Sequence, residues 1–494
     1  MKQTIGIVLS MCVAVLKFQS APAAEPAGDR TAPRPNIVFI LADDLGINDL
    51  ACYGRIEHRT PNLDGLAASG LRFSSAYCAS PICSPSRAAI LTGKHPARLH
   101  LTTYLPGRSD CAAQELLQPM IRQELPLEEK TLAEYLKAAG YATACIGKWH
   151  LGGRGFGPRE QGFDVYHPGR AVTVPSEVEG GKGEYDLTAA AEEFITTHRE
   201  EPFFLYLAHH SPHIPYSAKA NIVARNRHAF EPVYAAVIET LDDTVGRLLA
   251  RIDELGLATN TIVIFTSDNG GLHVPEMGHK TITHNTPFRA GKGFLYEGGT
   301  RVPLIVRWPG HAPAGRVIWR PVTNTDWLPT LLEAAGVPVP DDLDGVSILP
   351  LITGRKGALA ARSFFWHFPH YSNQGGRPAG AVRAGDWKLI QSYEDNSIEL
   401  FNLRRDPRER RNLAEREPER AKQLLAELEA WREQVSAQTN RLNPQFDAAQ
   451  HEELYSNVDV SQFNPSTADQ ALKTRVLRWR RLMDAAVARD RRGE

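Results

Sequence analysis

The chain has 494 residues, 42% of them hydrophobic and 23% charged, with a formal net charge of −1. That balance is globular and excludes a disordered or fibrous polymer, and the length holds one large catalytic domain plus a smaller one. The near-zero charge excludes a global field for nucleic acid or a membrane surface, so any recognition of an anion is local.

At the start, Lys2 precedes an apolar run from Ile5 to Leu16, and Ala21-Pro22-Ala23 supplies small residues at a cleavage spacing. Residues 1–23 therefore read as an export signal; the run is too short to span a bilayer, so no stable membrane insertion is expected. Once Cys12 leaves with the signal, Cys52, Cys78, Cys83, Cys111 and Cys145 remain. An odd number in an exported protein points either to a free or chemically special thiol or to five unpaired small hydrophobes, and no pairing follows from the count.

Five apolar, β-branched runs come next, and each is tied to unusual polar residues. Asn36–Leu41 runs into Asp43 and Asp44. Ala142–Ile146 follows a helical stretch at Glu128–Ala139 and runs into Gly147, Lys148 and His150. Phe203–Leu207 follows a helix at Leu187–His198 and leads to His209, His210 and His213. Thr261–Thr266 follows the amphipathic Pro232–Leu255 and ends at Asp268 and Asn269. Val302–Val306 differs, because its polar Gly-rich loop, with Lys292 and Glu297, lies upstream. Continuous apolar strands alternating with helices predict an α/β domain with a mainly parallel sheet covered on both faces. Ligands of such sheets bind beyond the carboxyl ends of the strands, so these polar groups predict one site.

After about Leu351 the texture changes. Short alternating runs at Trp387–Gln391 and Ile398–Asn402 and a helix at Glu415–Val435 predict a small antiparallel sheet with one helix. We place the catalytic domain at 34–370, the small C-terminal domain at 371–438 and an extension at 439–494. A helix at Ala468–Val487 is followed by more arginines, and Arg475, Arg478, Arg480, Arg481, Arg489, Arg491 and Arg492 make this end basic. It reads as a solvated face, with contact to an anionic polysaccharide as the alternative.

Two acidic pairs at separate strand ends, Asp43–Asp44 and Asp268–Asn269, form an all-oxygen set that suits Ca²⁺ better than Zn²⁺. In Cys83-Ser84-Pro85-Ser86-Arg87, ahead of AAILTG, Pro85 fixes a turn, Ser86 can cap a helix, and Arg87 sets a cation beside the thiol. A thiol so placed is acidic and reactive.

Cys-x-Pro-Ser-Arg with AAILTG resembles the signature of the type I sulfatases, in which the cysteine becomes Cα-formylglycine. The resemblance runs on through PNIVFILADDLG, GKWHLG, SPHIP, TSDNGG, GKGFLYEGGTRVPLIVRWPG and VRAGDWKLI. It implies an alkaline-phosphatase-like α/β/α sandwich. It also implies a Ca²⁺ site made by Asp43, Asp44, Asp268, Asn269 and the modified Cys83, and a sulfuric ester hydrolase. By the same resemblance Arg87 would hold the hydrated aldehyde, Lys148 and Lys292 would neutralise the sulfate, and Asp268 would assist the nucleophile. His213, with Lys292, would protonate the departing oxygen, and His150 would act as base for release. A maturation enzyme must make the formylglycine.

Around these groups, His209 and His210 read as packing or supporting residues, Ser84 and Ser86 as structural, and His100 and Glu297 as candidates to orient their neighbours. His367 and His370, in an aromatic run, either bind sugar hydroxyls or pack between domains. The pattern is nearest to arylsulfatase A and N-acetylgalactosamine sulfatases, which implies a sulfated carbohydrate of galactose type, with 4-O-sulfate as the leading position. A phosphonate monoester or phosphodiester hydrolase and a non-catalytic glycan-binding relative are the rival readings. Oligomeric state is not legible.

Overall fold

The computed structural model describes residues 34–170, 174–176, 180–278, 283–355 and 359–490. The expected export signal lies outside them, as do Arg491, Arg492 and the side chain of Arg489. Arg34–Glu494 forms one compact unit.

Its centre is a nine-stranded sheet. Asn36–Ala42 lies between Phe203–Ala208 and Thr261–Ser267, parallel to both, and Ala142–Gly147 continues the sheet beyond Phe203–Ala208. Side chains alternate across it as the pleat requires. Val38 and Ile40 face one core with the helices Glu184–Thr197 and Pro232–Glu254, while Ile37 and Phe39 face a second core with Cys83–Thr92 and Trp327–Ala334. The expected α/β/α sandwich is what the chain forms.

Register brings the strand ends level: Leu41 pairs with Ala208, Ala42 with Ser267, and Gly147 with Ala208. The fifth predicted run, observed as Arg301–Arg307, is antiparallel to both Thr261–Ser267 and Leu71–Tyr77. Its beginning therefore lies at the edge where its neighbours end, which is why its polar loop precedes it. Leu71–Tyr77 was not expected as a strand. Its buried and half-buried residues partly alternate, and a search for continuous apolar runs passes over such a pattern.

The small sheet is four-stranded and antiparallel, in the order Ser363–Phe368, Ala379–Ala384, Trp387–Ser392, Ile398–Asn402, with the helix Pro418–Gln434 against it. Its edge strand starts at Ser363, ahead of the sequence boundary at 371. The first part of the aromatic run belongs to this strand, because Ser363–Phe368 pairs residue for residue with Ala379–Ala384. The basic C-terminal helix, Gln470–Asp490, is not wholly solvated: Val476, Trp479 and Met483, at helical spacing, are buried in the larger core. Among the described residues Cys52, Cys78, Cys83 and Cys145 are free thiols.

Candidate active site

Cys83 opens the helix Cys83–Thr92, all ten residues of which are buried. The helix starts at the cysteine, not after Ser86, so the thiol sits in the first turn, where the dipole favours an anion. Ser86 does not cap; its hydroxyl donates to the Asp268 carbonyl and accepts from Asn324 Nδ2. Ser84 Oγ accepts the Leu105 N–H, a structural role as expected. Burial pushes the Cys83 thiol up, but Lys148, His150 and Lys292 outweigh it and bring it down to about 6.

Lys148 reaches this point because Gly147 ends its strand at φ 99°, with a would-be Cβ only 1.9 Å from the Ala208 carbonyl oxygen. Only glycine allows that approach. His150 Nε2 lies 2.9 Å from the Leu105 carbonyl and donates to it, and the buried Nδ1 has no hydrogen-bond partner.

The acids converge through an unusual backbone. Neighbours on a strand point to opposite faces, but Asp44 is left-handed, at φ 68°, which breaks that alternation just beyond the strand end. The two carboxylates and His213 bring ligand atoms within 4.8 Å of one another. Lys148 Nζ donates to Asp43 Oδ2 at 2.6 Å, and Lys292 Nζ to Asp44 Oδ2 at 2.7 Å. Arg87, with no exposed surface, donates from Nε and Nη2 to Asp268 Oδ2 at 2.9 and 2.8 Å, and from Nη1 to the Lys148 carbonyl. Asp268 Oδ1 accepts the Asp44 N–H, and Asn269 Nδ2 donates to Asp44 Oδ1.

Three carboxylates thus face three cations. Burial raises Asp43, but Lys148, His213 and Arg87 hold it well below the usual carboxylate range, and Lys292 and His213 likewise outweigh burial at Asp44. Asp268 goes the other way, to about 8, through burial and the adjoining Asp43 charge. Asp43 Oδ1 and Asn269 Oδ1 are buried with no hydrogen-bond partner. Unpartnered oxygens beside crowded carboxylates fit a hard divalent cation such as Ca²⁺.

His213 Nδ1 lies 2.6 Å from the Ile214 carbonyl and donates to it, while Nε2 is 3.6 Å from Asp44 Oδ2. Burial, then Lys292, lowers this imidazole to about 4. His209 is buried with neither ring nitrogen bonded, and the half-buried His210 has Nε2 bonded to the Pro168 carbonyl. His100 Nε2 meets the Ser436 carbonyl. Glu297 holds Tyr77, Arg301 and Lys388.

His367 spends both ring nitrogens at 2.8 Å on Tyr393 OH and the Gln438 carbonyl, and His370 Nε2 meets Thr102 Oγ1 at 2.7 Å. Both are buried, with these ring nitrogens on groups of the chain itself. Sequence reasoning also missed Lys182, a buried lysine in a Gly-flanked segment with no motif around it. Burial lowers its ammonium to about 8 even though Asp43 and Glu184 oppose that.

The sulfatase family profile matches residues 35–337, more than half of the chain. The chain belongs to the sulfatase family. A second profile, the C-terminal region of N-sulphoglucosamine sulphohydrolase, matches residues 290–438 of this sulfatase. It is 36% identical to human arylsulfatase A over 456 residues, covering 78% of this chain and 85% of that one. It is 37% identical to Rattus norvegicus N-acetylgalactosamine-6-sulfatase over 408 residues, 75% of this chain and 74% of that one. Among solved structures, the crystal structure titled Ps i-CgsB superposes with a TM-score of 0.70 at 29% identity, covering 81% of this chain and 92% of that one. The protein is a sulfuric ester hydrolase.

Proposed function

We propose that this sulfatase is an exported enzyme that removes O-sulfate from a carbohydrate of galactose or N-acetylgalactosamine type. In this reading Cys83 is converted to formylglycine by a maturation enzyme, and Ca²⁺ is held by Asp43, Asp44, Asp268 and Asn269 with the modified residue. One observation carries it: an acidified Cys83 in the same pocket as Lys148, Lys292, His150 and a carboxylate cluster with unpartnered oxygens. The export reading rests on the leader alone; among the described residues no helix is long and apolar enough to cross a membrane.

When bound, Ca²⁺ would polarise the sulfate oxygens, and the hydrated aldehyde would supply a nucleophilic hydroxyl. The chain's own residues do the rest. Arg87 fixes Asp268 from two nitrogens, so this carboxylate is oriented for both the cation and the nucleophile's proton. Lys148 and Lys292 carry positive charge to the two sides of the acid pair, where a sulfate would enter. His150, with its bare Nδ1, takes a proton near residue 83. His213 turns its proton-accepting Nε2 toward the acid pair because Nδ1 is committed to a carbonyl; in this reading Nε2 takes a proton from solvent once the anionic sulfate is bound beside it, and gives that proton to the leaving oxygen.

The names of the relatives, arylsulfatase and N-acetylgalactosamine-6-sulfatase, support the sugar class and put the 6-position beside the 4-position, our first choice. The test is sulfate release by protein made with a maturation enzyme, after mass spectrometry of the Cys83 peptide. Substrates are 4-O- and 6-O-sulfated N-acetylgalactosamine and galactose, an aryl sulfate and a phosphodiester. Turnover of a sugar sulfate is expected. Turnover of the aryl sulfate alone would overturn the carbohydrate reading, and faster phosphodiester cleavage would favour the rival hydrolase.

A further inference from the structure

Behind the acids, a second set of groups grips the turn that carries His213. Lys182, 2% exposed, donates from Nζ to the His210 carbonyl at 3.1 Å and to the His213 carbonyl. Glu184 accepts the Ser211 hydroxyl at Oε1, at 2.5 Å, and the N–H groups of Lys182 and Gly181 at Oε2, at 2.6 and 3.0 Å. Ser211 in turn gives its carbonyl to the Asp43 N–H at 3.0 Å. A Cβ on Gly181 would lie 1.9 Å from the Ser217 carbonyl oxygen, so the segment is pressed against the outgoing end of the same loop. Glu184 itself begins the helix Glu184–Thr197, which is packed into the core and makes a rigid anchor.

We propose that Lys182 is a positioning residue for sulfate ester hydrolysis: with Glu184 it clamps the His210–His213 turn and thereby aims Nε2 of His213 into the sulfate pocket. The inference rests on the proposed role of His213 as leaving-group acid. A buried ammonium held by carbonyls costs desolvation that an apolar side chain would avoid, so stability alone does not account for it. What the lysine provides is direction. Two carbonyls of one short turn converge on a single cation, so the backbone that carries His213 cannot shift without stretching those bonds, while Nδ1 of the ring is held by the next carbonyl of the chain. The same turn fixes the backbone of Asp43, so the acid and its neighbouring carboxylates are held by one device.

The experiment is a double-mutant cycle of Lys182→Met and His213→Ala, on formylglycine-containing protein, with aryl sulfates that span good and poor leaving groups. Lys182→Met is expected to lower kcat by about 10- to 100-fold on poor leaving groups and far less on good ones, with KM little changed. Added to His213→Ala it should cost far less than it does alone, because its leaving-group-dependent effect passes through that side chain. Losses that multiply, or that are equal for all leaving groups while His213→Ala remains leaving-group dependent, would overturn the proposal. If His213→Ala is itself insensitive to the leaving group, the acid role falls, and the cycle still decides whether Lys182 acts through His213. Should Lys182→Met not fold, as judged by thermal melting, Ser211→Ala loosens the same clamp and takes its place in the cycle.

Discussion

Lys388, on the second inner strand of the small sheet, lies 3.0 Å from Glu297 Oε1 and 3.0 Å from Glu409 Oε1, and all three side chains are fully buried. Glu297 opens the short helix after the Lys292 loop and also holds Tyr77 and Arg301. The small domain is thus pinned to the segment that follows Lys292.

Lys388→Met should destabilise the protein by about 3–5 kcal/mol, because it leaves two buried carboxylates facing each other with no ammonium between them. Urea unfolding followed by tryptophan fluorescence measures this. A change near zero would mean that the junction relaxes or admits water.

The same triad sets a pH dependence. Burial pushes Glu409 from 4.5 up to about 7, and the Glu297 charge adds to that against the pull of Lys388. Between pH 4.5 and 7 the folded state then binds more protons than the unfolded one, so stability falls as pH rises. Glu297 has the opposite sign: Lys388 and Arg301 outweigh its burial and hold it at about 2, so its contribution is present above 4.5 and lost as pH falls toward 2. Glu409→Gln should flatten the slope between pH 4.5 and 7 and leave the acid limb intact. Unfolding free energies at several pH values test it, and an unchanged slope would refute the assignment.

Removing calcium with a chelator should abolish sulfate release and lower Tm, and adding Ca²⁺ should restore both. Asn269→Ala deletes one of the two unpartnered oxygens and should raise the Ca²⁺ needed for half-activity by at least about tenfold. Full activity after exhaustive chelation would refute the metal site.

The helix beyond the region matched by the family profiles should matter for folding. Trp479 is 1% exposed, and its Nε1 donates to the Leu454 carbonyl at 2.8 Å. Trp479→Ala should cost about 3–5 kcal/mol by opening a cavity. A loss well below 1 kcal/mol would show that the extension is peripheral to stability.

Much of this was legible in the sequence for a local reason. Asn36–Ala42 and Thr261–Ser267 are continuous apolar runs, a pattern that suits strands buried on both faces, and each ends in an acid or amide. The cysteine motif and the lysine and histidine motifs are equally local, so the family and the pocket's membership could be read before any coordinates. What each residue does inside the pocket could not. Asp43 and Asp44 share a site because one φ is left-handed, and Lys148 takes Asp43 while Lys292 takes Asp44 because an antiparallel strand brings the Lys292 loop to the same edge. His367 and His370 resemble ligands in sequence, while in space their bonded ring nitrogens meet groups of the chain itself. Lys182 carries no motif at all, because its partners are carbonyl oxygens, which every residue has and no sequence pattern marks. Side-chain type and strand-scale pattern are local properties of the chain, whereas partner choice, burial and proton position depend on which segments the fold brings into contact.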